Sequence, residues 1–139
     1  MKITTEELLA AGFRRAGTVY PDVTKKLRVQ IDWDVRGFVV YIMVVNQEFE
    51  KAGTTGRKNS TFKGRMHSTF SALRRRMITG GSPTDDPFKT HAPAVIEANQ
   101  EIELWAQQFT IDTFEAKETE LNNKYQPEWT KEGKHRASK

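Results

Sequence analysis

The stretch Phe38–Val45 (FVVYIMVV) is apolar without a break, and it meets Asn46-Gln47 before a shorter run, Glu48–Ala52, turns back. Successive side chains on a strand point to opposite faces, so an unbroken apolar run suits a strand covered on both sides. The chain must therefore build a sheet with a packed layer on each face. One tyrosine, Tyr41, lies inside the run, and the returning strand reaches Lys51 just before Gly53-Thr54-Thr55-Gly56. Register decides whether those two side chains meet. A two-residue Asn46-Gln47 loop pairs Ile42 with Lys51 and turns Tyr41 to the other face. A three-residue loop, Asn46 to Glu48, or an equivalent bulge, pairs Met43 with Lys51 and puts Tyr41 on its side. The loop or the bulge is the expectation.

The flanking periodicity supplies the layers. Thr4 and Glu7 have capping-box spacing, Leu9 and Phe13 share a helical face and Gly17 offers a stop, which predicts a helix over 4–16. Leu27, Val29, Ile31 and Trp33 alternate with polar residues as in a half-buried strand. Asp34 to Gly37 turns the chain. Phe62, Met66, Phe70, Leu73 and Met77 recur at helical spacing and predict an amphipathic helix over 60–77, with Ser60 near its cap. Residues 78–90 are loop by their Gly, Pro and Asp content. A short helix near 91–98 follows, then a strand in which Ile102, Leu104 and Ala106 alternate. In the last helix Asp112 is the expected cap, with Glu115 three residues on. Phe114, Leu121 and Tyr125 there form one apolar stripe, and Glu118 occupies its i+4 position. A carboxylate on an inward stripe must be paired, protonated or bound to a cation, so an arginine salt bridge and a metal ion are both open readings. The fold class is α/β of the α+β type: a small antiparallel sheet of three or more strands flanked by helices. It makes one domain over 1–130, with a basic, flexible tail at 131–139.

Composition narrows the chemistry. The 139 residues contain no Cys, which removes disulfides, thiolate catalysis and Cys-bound zinc. His91 and His135 lack partners at zinc-ligand spacing. No run approaches the roughly 20 apolar residues of a membrane span, and the N-terminus lacks a secretory h-region, so a cytoplasmic location is expected. Net charge is only +4, yet Lys51 to Thr84 holds eight Lys/Arg and no Asp or Glu. Such asymmetry is the footprint of a face that binds a polyanion, although a solvated basic helix reads the same way.

Tyr41, Arg65 and Glu118 are the polar groups that the pattern singles out, and with their neighbours the chain resembles the GIY-YIG nuclease superfamily. Val39-Val40-Tyr41 stands for the first element and Lys51-Ala52-Gly53, ten residues after Tyr41, for the second, followed by Thr54-Thr55. Phe62 to Arg65 matches the arginine element, and Glu118 to Thr130 (ETELNNKYQPEWT) the glutamate element with its terminal proline and aromatic. Val39 replaces a glycine, Lys51 the second tyrosine and Thr130 the usual asparagine, and the loop from Gly53 to Arg65 is longer than usual. Lysine at the second position is shared with some restriction endonucleases of the superfamily.

The resemblance implies a GIY-YIG-like fold with core 38–130 and an endonuclease of phage or restriction type, in a bacterial or phage-infected cell. It implies double-stranded DNA as partner, Mg²⁺ or Mn²⁺ as cofactor and a homodimer or higher oligomer. Tyr41 would be the base, Lys51 the cation that favours its phenolate, Arg65 the group steadying phosphate charge and Glu118 the metal ligand. His67, two residues after Arg65, is a further candidate as proton donor or phosphate contact. Thr54, Thr55, Arg57, Lys58, Lys63, Arg74, Arg75, Arg76 and Thr130 are the expected DNA contacts. A packed sheet tyrosine, a simple Thr54-Thr55 turn and an exposed helix histidine are the plainer readings of the same residues. The rival functions are a non-catalytic nucleic-acid-binding protein with a degenerate motif, and a module whose basic face meets an acidic protein.

Overall fold

Strand β3 (Phe38–Val45) is covered on both faces, as its composition demands. This computed structural model describes residues 1–57 and 60–130. Lys58 and the tail 131–139, His135 included, lie outside the described residues. With β1 (Arg14–Pro21), β2 (Leu27–Ile31), β4 (Glu48–Thr55) and β5 (Ile102–Phe109), β3 forms one sheet of order β2-β1-β5-β3-β4. Every pairing is antiparallel. The helices are α1 (Thr5–Ala10), α2 (Phe62–Thr79), α3 (Pro87–Glu97) and α4 (Phe114–Tyr125).

Alternation along β3 sorts them between two cores. Val39, Tyr41, Met43 and Val45 pack with Phe62, Met66, Phe70 and Leu73 of α2 and with Phe88, Ala92 and Ile96 of α3. Val40, Ile42 and Val44 pack on the other face with Leu8 of α1 and Phe114, Leu121 and Tyr125 of α4. The α+β architecture is as read from the sequence, and the sheet has five strands.

Several local expectations are corrected. The first helix stops at Ala10 because Gly12 takes φ +91° and its N–H bonds Leu9 O, so Leu8 rather than Leu9 is buried. Residues 14–21, partly assigned to that helix, are instead strand β1. Thr61, not Ser60, caps α2, its Oγ1 accepting from Gly64 N at 3.1 Å. Helix α3 starts at Pro87, inside the stretch read as loop, with Asp86 Oδ1 accepting from Phe88 N. Asp112 does not cap α4; Thr113 holds that place, without a side-chain cap.

The β3–β4 hairpin resolves the register question through a bulge. Asn46 and Gln47 both have positive φ (49° and 65°), the requirement of a tight two-residue turn. Val45 pairs Glu48 and Val44 pairs Phe49, but the register shifts there and Met43 pairs Lys51. Glu50 is the extra residue, and its carbonyl accepts from Trp129 N at 2.9 Å. That one residue turns Lys51 onto the face of Tyr41. The outer edge of β4 is covered along part of its length. Ile3 N bonds Gln47 O, Phe49 N bonds Met1 O, and Thr130 Oγ1 meets the Ala52 backbone. Covering an edge in this way blocks pairing with another chain.

Candidate active site

Tyr41 pairs with Gly53 across the hairpin, and its ring lies over that glycine. A Cβ at position 53 would come within 2.8 Å of Tyr41 Cε2 and overlap the phenol oxygen. Glycine is therefore imposed by the ring resting on it, not by a turn. Tyr41 is 8 % exposed, and burial pushes its phenol up from the ordinary value. The Glu118 carboxylate pushes it the same way, the Arg65 guanidinium pulls it down and the Asp86 carboxylate adds a further push upward.

Those charges come from three separate elements. Arg65 is in the first turn of α2, where Thr61 fixes the helix start and Asp34 Oδ1 accepts from Lys63 N at 2.8 Å. Glu118 is half-buried on α4, on the opposite side of the sheet from α2. Phe114, Leu121 and Tyr125 anchor that helix, with Tyr125 stacked on Phe49 at 4.4 Å. Its charge acts on the Tyr41 phenol. Asp86 precedes α3, and sequence reasoning missed it. The signal was present, since Asp before Pro is a helix-start pair. In "TDDP" it was read as loop composition.

Lys51 shares the Tyr41 face, and its ammonium lies over the Phe88 ring, 5.8 Å from the centroid. Burial and the two carboxylates raise the Tyr41 phenol above its ordinary value, with the Arg65 guanidinium opposing them. His67 is half-buried on α2. It follows Arg65 by two residues, and side chains so spaced do not share a helix face. Arg65 lines a cleft at the end of β4. Among the described residues no cluster of three or more His, Cys, Asp or Glu is placed to hold a metal ion.

Beside this group lies a cleft of about 310 Å³, lined by Thr54, Thr55, Gly56, Arg57, Ser60 and Arg65. Thr55 is 3 % exposed, and its hydroxyl has no hydrogen-bond partner among the described residues. Arg57 is held to α4, bonding Glu115 at 2.6 Å and lying over the Phe114 ring at 5.1 Å.

The remaining expected DNA contacts divide. Lys63 and Arg75 are exposed. Arg74 is half-buried, and Arg76 donates to Ser82 O. Thr130 is 6 % exposed and its Oγ1 accepts from Ala52 N at 3.3 Å, so it pins the C-terminal segment to β4. No helix among the described residues is long and apolar enough to cross a membrane.

No family model and no curated protein matches the sequence. Solved structures do match its fold. Bacteriophage T4 EndoII, solved as a glutamate-to-alanine mutant, aligns with a TM-score of 0.66 at 14% identity, over 91% of this chain and 97% of its own. The restriction endonuclease HPY188I in complex with product DNA aligns with a TM-score of 0.52 at 14% identity. That alignment covers 78% of this chain and 62% of HPY188I. The α+β sheet with its flanking helices is thus a fold shared with these two proteins.

Proposed function

We propose that this protein is a divalent-metal-dependent DNA endonuclease of the GIY-YIG type. One observation carries the reading: a carboxylate on α4 and a guanidinium on α2 both act on one buried phenol in the sheet. The two structural neighbours support it, and HPY188I was solved with product DNA.

The residues fit a hard divalent ion. The Glu118 and Asp86 carboxylates both act on the Tyr41 phenol, and carboxylate oxygens are the donors such an ion takes. Mg²⁺ keeps most of its waters and takes one or two carboxylates plus substrate phosphate, so Glu118 suffices as its protein ligand. Mn²⁺ would fit the same donor. Bound there, the ion would supply charge neutralisation on the phosphoryl oxygens.

In this reading Tyr41 accepts the proton of the attacking water, its phenolate favoured by Arg65 and by neutralisation of the Glu118 charge. Arg65 also donates to the phosphoryl oxygens as negative charge builds on them, a task suited to its planar fork. Lys51, level with Met43 on the same face, donates toward the departing 3′ oxygen. Lys63, Arg75 and the residues lining the cleft position the strand through its phosphates without reading sequence.

A non-catalytic nucleic-acid-binding protein is the second reading. What favours it is the burial of Tyr41, which raises its phenol above the ordinary value. Supercoiled plasmid with Mg²⁺, with EDTA and with the Glu118→Ala variant separates the two. Nicking that needs both metal and Glu118 is expected, with the variant down about 10²-fold or more. Binding with every plasmid intact supports the second reading, and cutting that survives Glu118→Ala removes the metal-ligand assignment.

A further inference from the structure

The two edges of the sheet are finished differently. On β4 the N-terminal segment and Thr130 take up backbone groups of the outer edge. Strand β2 ends the sheet on the other side, and no described residue beyond the sheet bonds the backbone of Leu27, Val29 or Ile31. Register shows which groups of β2 face outward. Asp22 N donates to Lys26 O at 2.9 Å and Asp32 N to Ala16 O at 2.8 Å. The even-numbered residues of β2 therefore turn their backbone toward β1, and Leu27, Val29 and Ile31 turn theirs to the open side. Exposed edges are usually closed to pairing by proline, bulges or free charges. No proline or register shift interrupts Leu27–Ile31, and Arg28 is held by Asp22 at 2.8 Å.

The residues along this edge complement themselves. Antiparallel pairing of two copies about Val29 sets Leu27 against the second copy's Ile31 and Lys26 against its Asp32. Each outward N–H then meets an outward C=O. Lys26 and Asp32 are exposed, at non-hydrogen-bonded positions where facing side chains come closest. Moving the centre by two residues sets Lys26 against Arg28 or Arg36 instead, so charge selects one register. Val29 is half-buried at the rim of the core, and its counterpart would complete its burial.

We propose that the open edge of β2 is a self-association surface, where a second copy of this chain adds its own β2 antiparallel about Val29. The two sheets become one, with Lys26 and Asp32 of each copy paired to Asp32 and Lys26 of the other. Leu27 and Tyr41 belong to the same core, so both Tyr41 sites lie on one side of the joined sheet. No group at Tyr41 takes part, and the interface stands or falls apart from the nuclease reading. A contact through strands of 5 residues belongs to the weak, reversible class of interfaces.

Sedimentation velocity on the whole chain tests it. Wild type should pass from monomer to dimer between about 5 and 500 μM. Asp32→Lys alone, or Lys26→Asp alone, should raise the dimer dissociation constant at least about tenfold, because both charge pairs turn repulsive. Mixed in equal amounts, these two variants should associate as tightly as the wild type does with itself, since every facing pair is again of opposite sign. Val29→Pro removes an N–H that the β1 ladder does not use, so it should keep the wild-type circular dichroism and lose the dimer.

A wild type that stays monomeric throughout overturns the proposal. So does a dimer indifferent to the single charge reversals, or a mixture of the two variants that fails to associate. If Val29→Pro loses its fold, the mixture decides alone. Plasmid cleavage, present or absent, bears only on the nuclease reading.

Discussion

A phenol is a weak base at neutral pH, and the surroundings of Tyr41 make its proton harder still to remove. The sign of the pH dependence follows. With the phenol raised above its ordinary value, the phenolate is a small fraction at neutral pH, and that fraction grows about tenfold per pH unit below the pKa. Cleavage at saturating Mg²⁺ should therefore climb with pH from 6 to 8, its logarithm rising with a slope approaching about one. Tyr41→Phe should cut at least about 10²-fold more slowly while binding duplex in EDTA as the wild type does. A flat profile, or a phenylalanine variant that still cuts, would remove Tyr41 from its role. At this scale the sequence was informative about which residues stand apart and less so about their state. Tyr41, Arg65 and Glu118 are visible because each breaks a pattern. The ionisation of Tyr41 is not, since it depends on burial and on Asp86, forty-five positions away in the chain.

Helix starts and strand registers carry the next level of control. Asp86 caps α3 through Phe88 N and also sends its charge toward Tyr41. The two jobs can be separated, because asparagine caps as well as aspartate but carries no charge. Asp86→Ala should lower stability by about 1 kcal/mol in denaturant titration, whereas Asp86→Asn should stay near wild type. Both variants should shift the rising pH profile of cleavage to lower pH, since either removes a carboxylate that raises the phenol. An unmoved profile in Asp86→Asn would leave Asp86 with its capping role alone. Elements with clean periodicity, β3, β5 and α2, were legible in the sequence. Strand β1 was not, because its register shifts between Arg15 and Gly17 and the buried residues Ala16 and Val19 fall out of step. A bulge destroys the period-two pattern by which a strand is recognised. In β4 the corresponding bulge was foreseen from what Tyr41 and Lys51 require of each other.

For the whole molecule, the basic segment is less bare than its sequence suggests. The fold brings Asp34 to the start of α2 and Glu115 to Arg57, and it seats Lys51 over Phe88. These partners come from outside the run 51–84, so no window along the sequence reveals them. Electrostatic binding should reflect the reduced set. Eight full phosphate contacts would give a slope of log K against log salt of about −7, and four give about −4. Duplex binding in EDTA between 50 and 200 mM NaCl should show the shallower slope, measured by anisotropy. A slope near −7 would mean that the whole basic set meets DNA, with Arg57, Arg76 and Lys51 leaving their present contacts.

The strand that unites the sheet is the last to be synthesised. Strand β5 lies between the β1–β2 and β3–β4 hairpins and bonds both, although more than forty residues separate it from either one in the chain. Until it emerges from the ribosome the two hairpins have nothing to join them, and α4, which brings Glu118, follows later still. In the nuclease reading, a polypeptide that has not yet reached α4 would lack the carboxylate that holds the metal and could not cut.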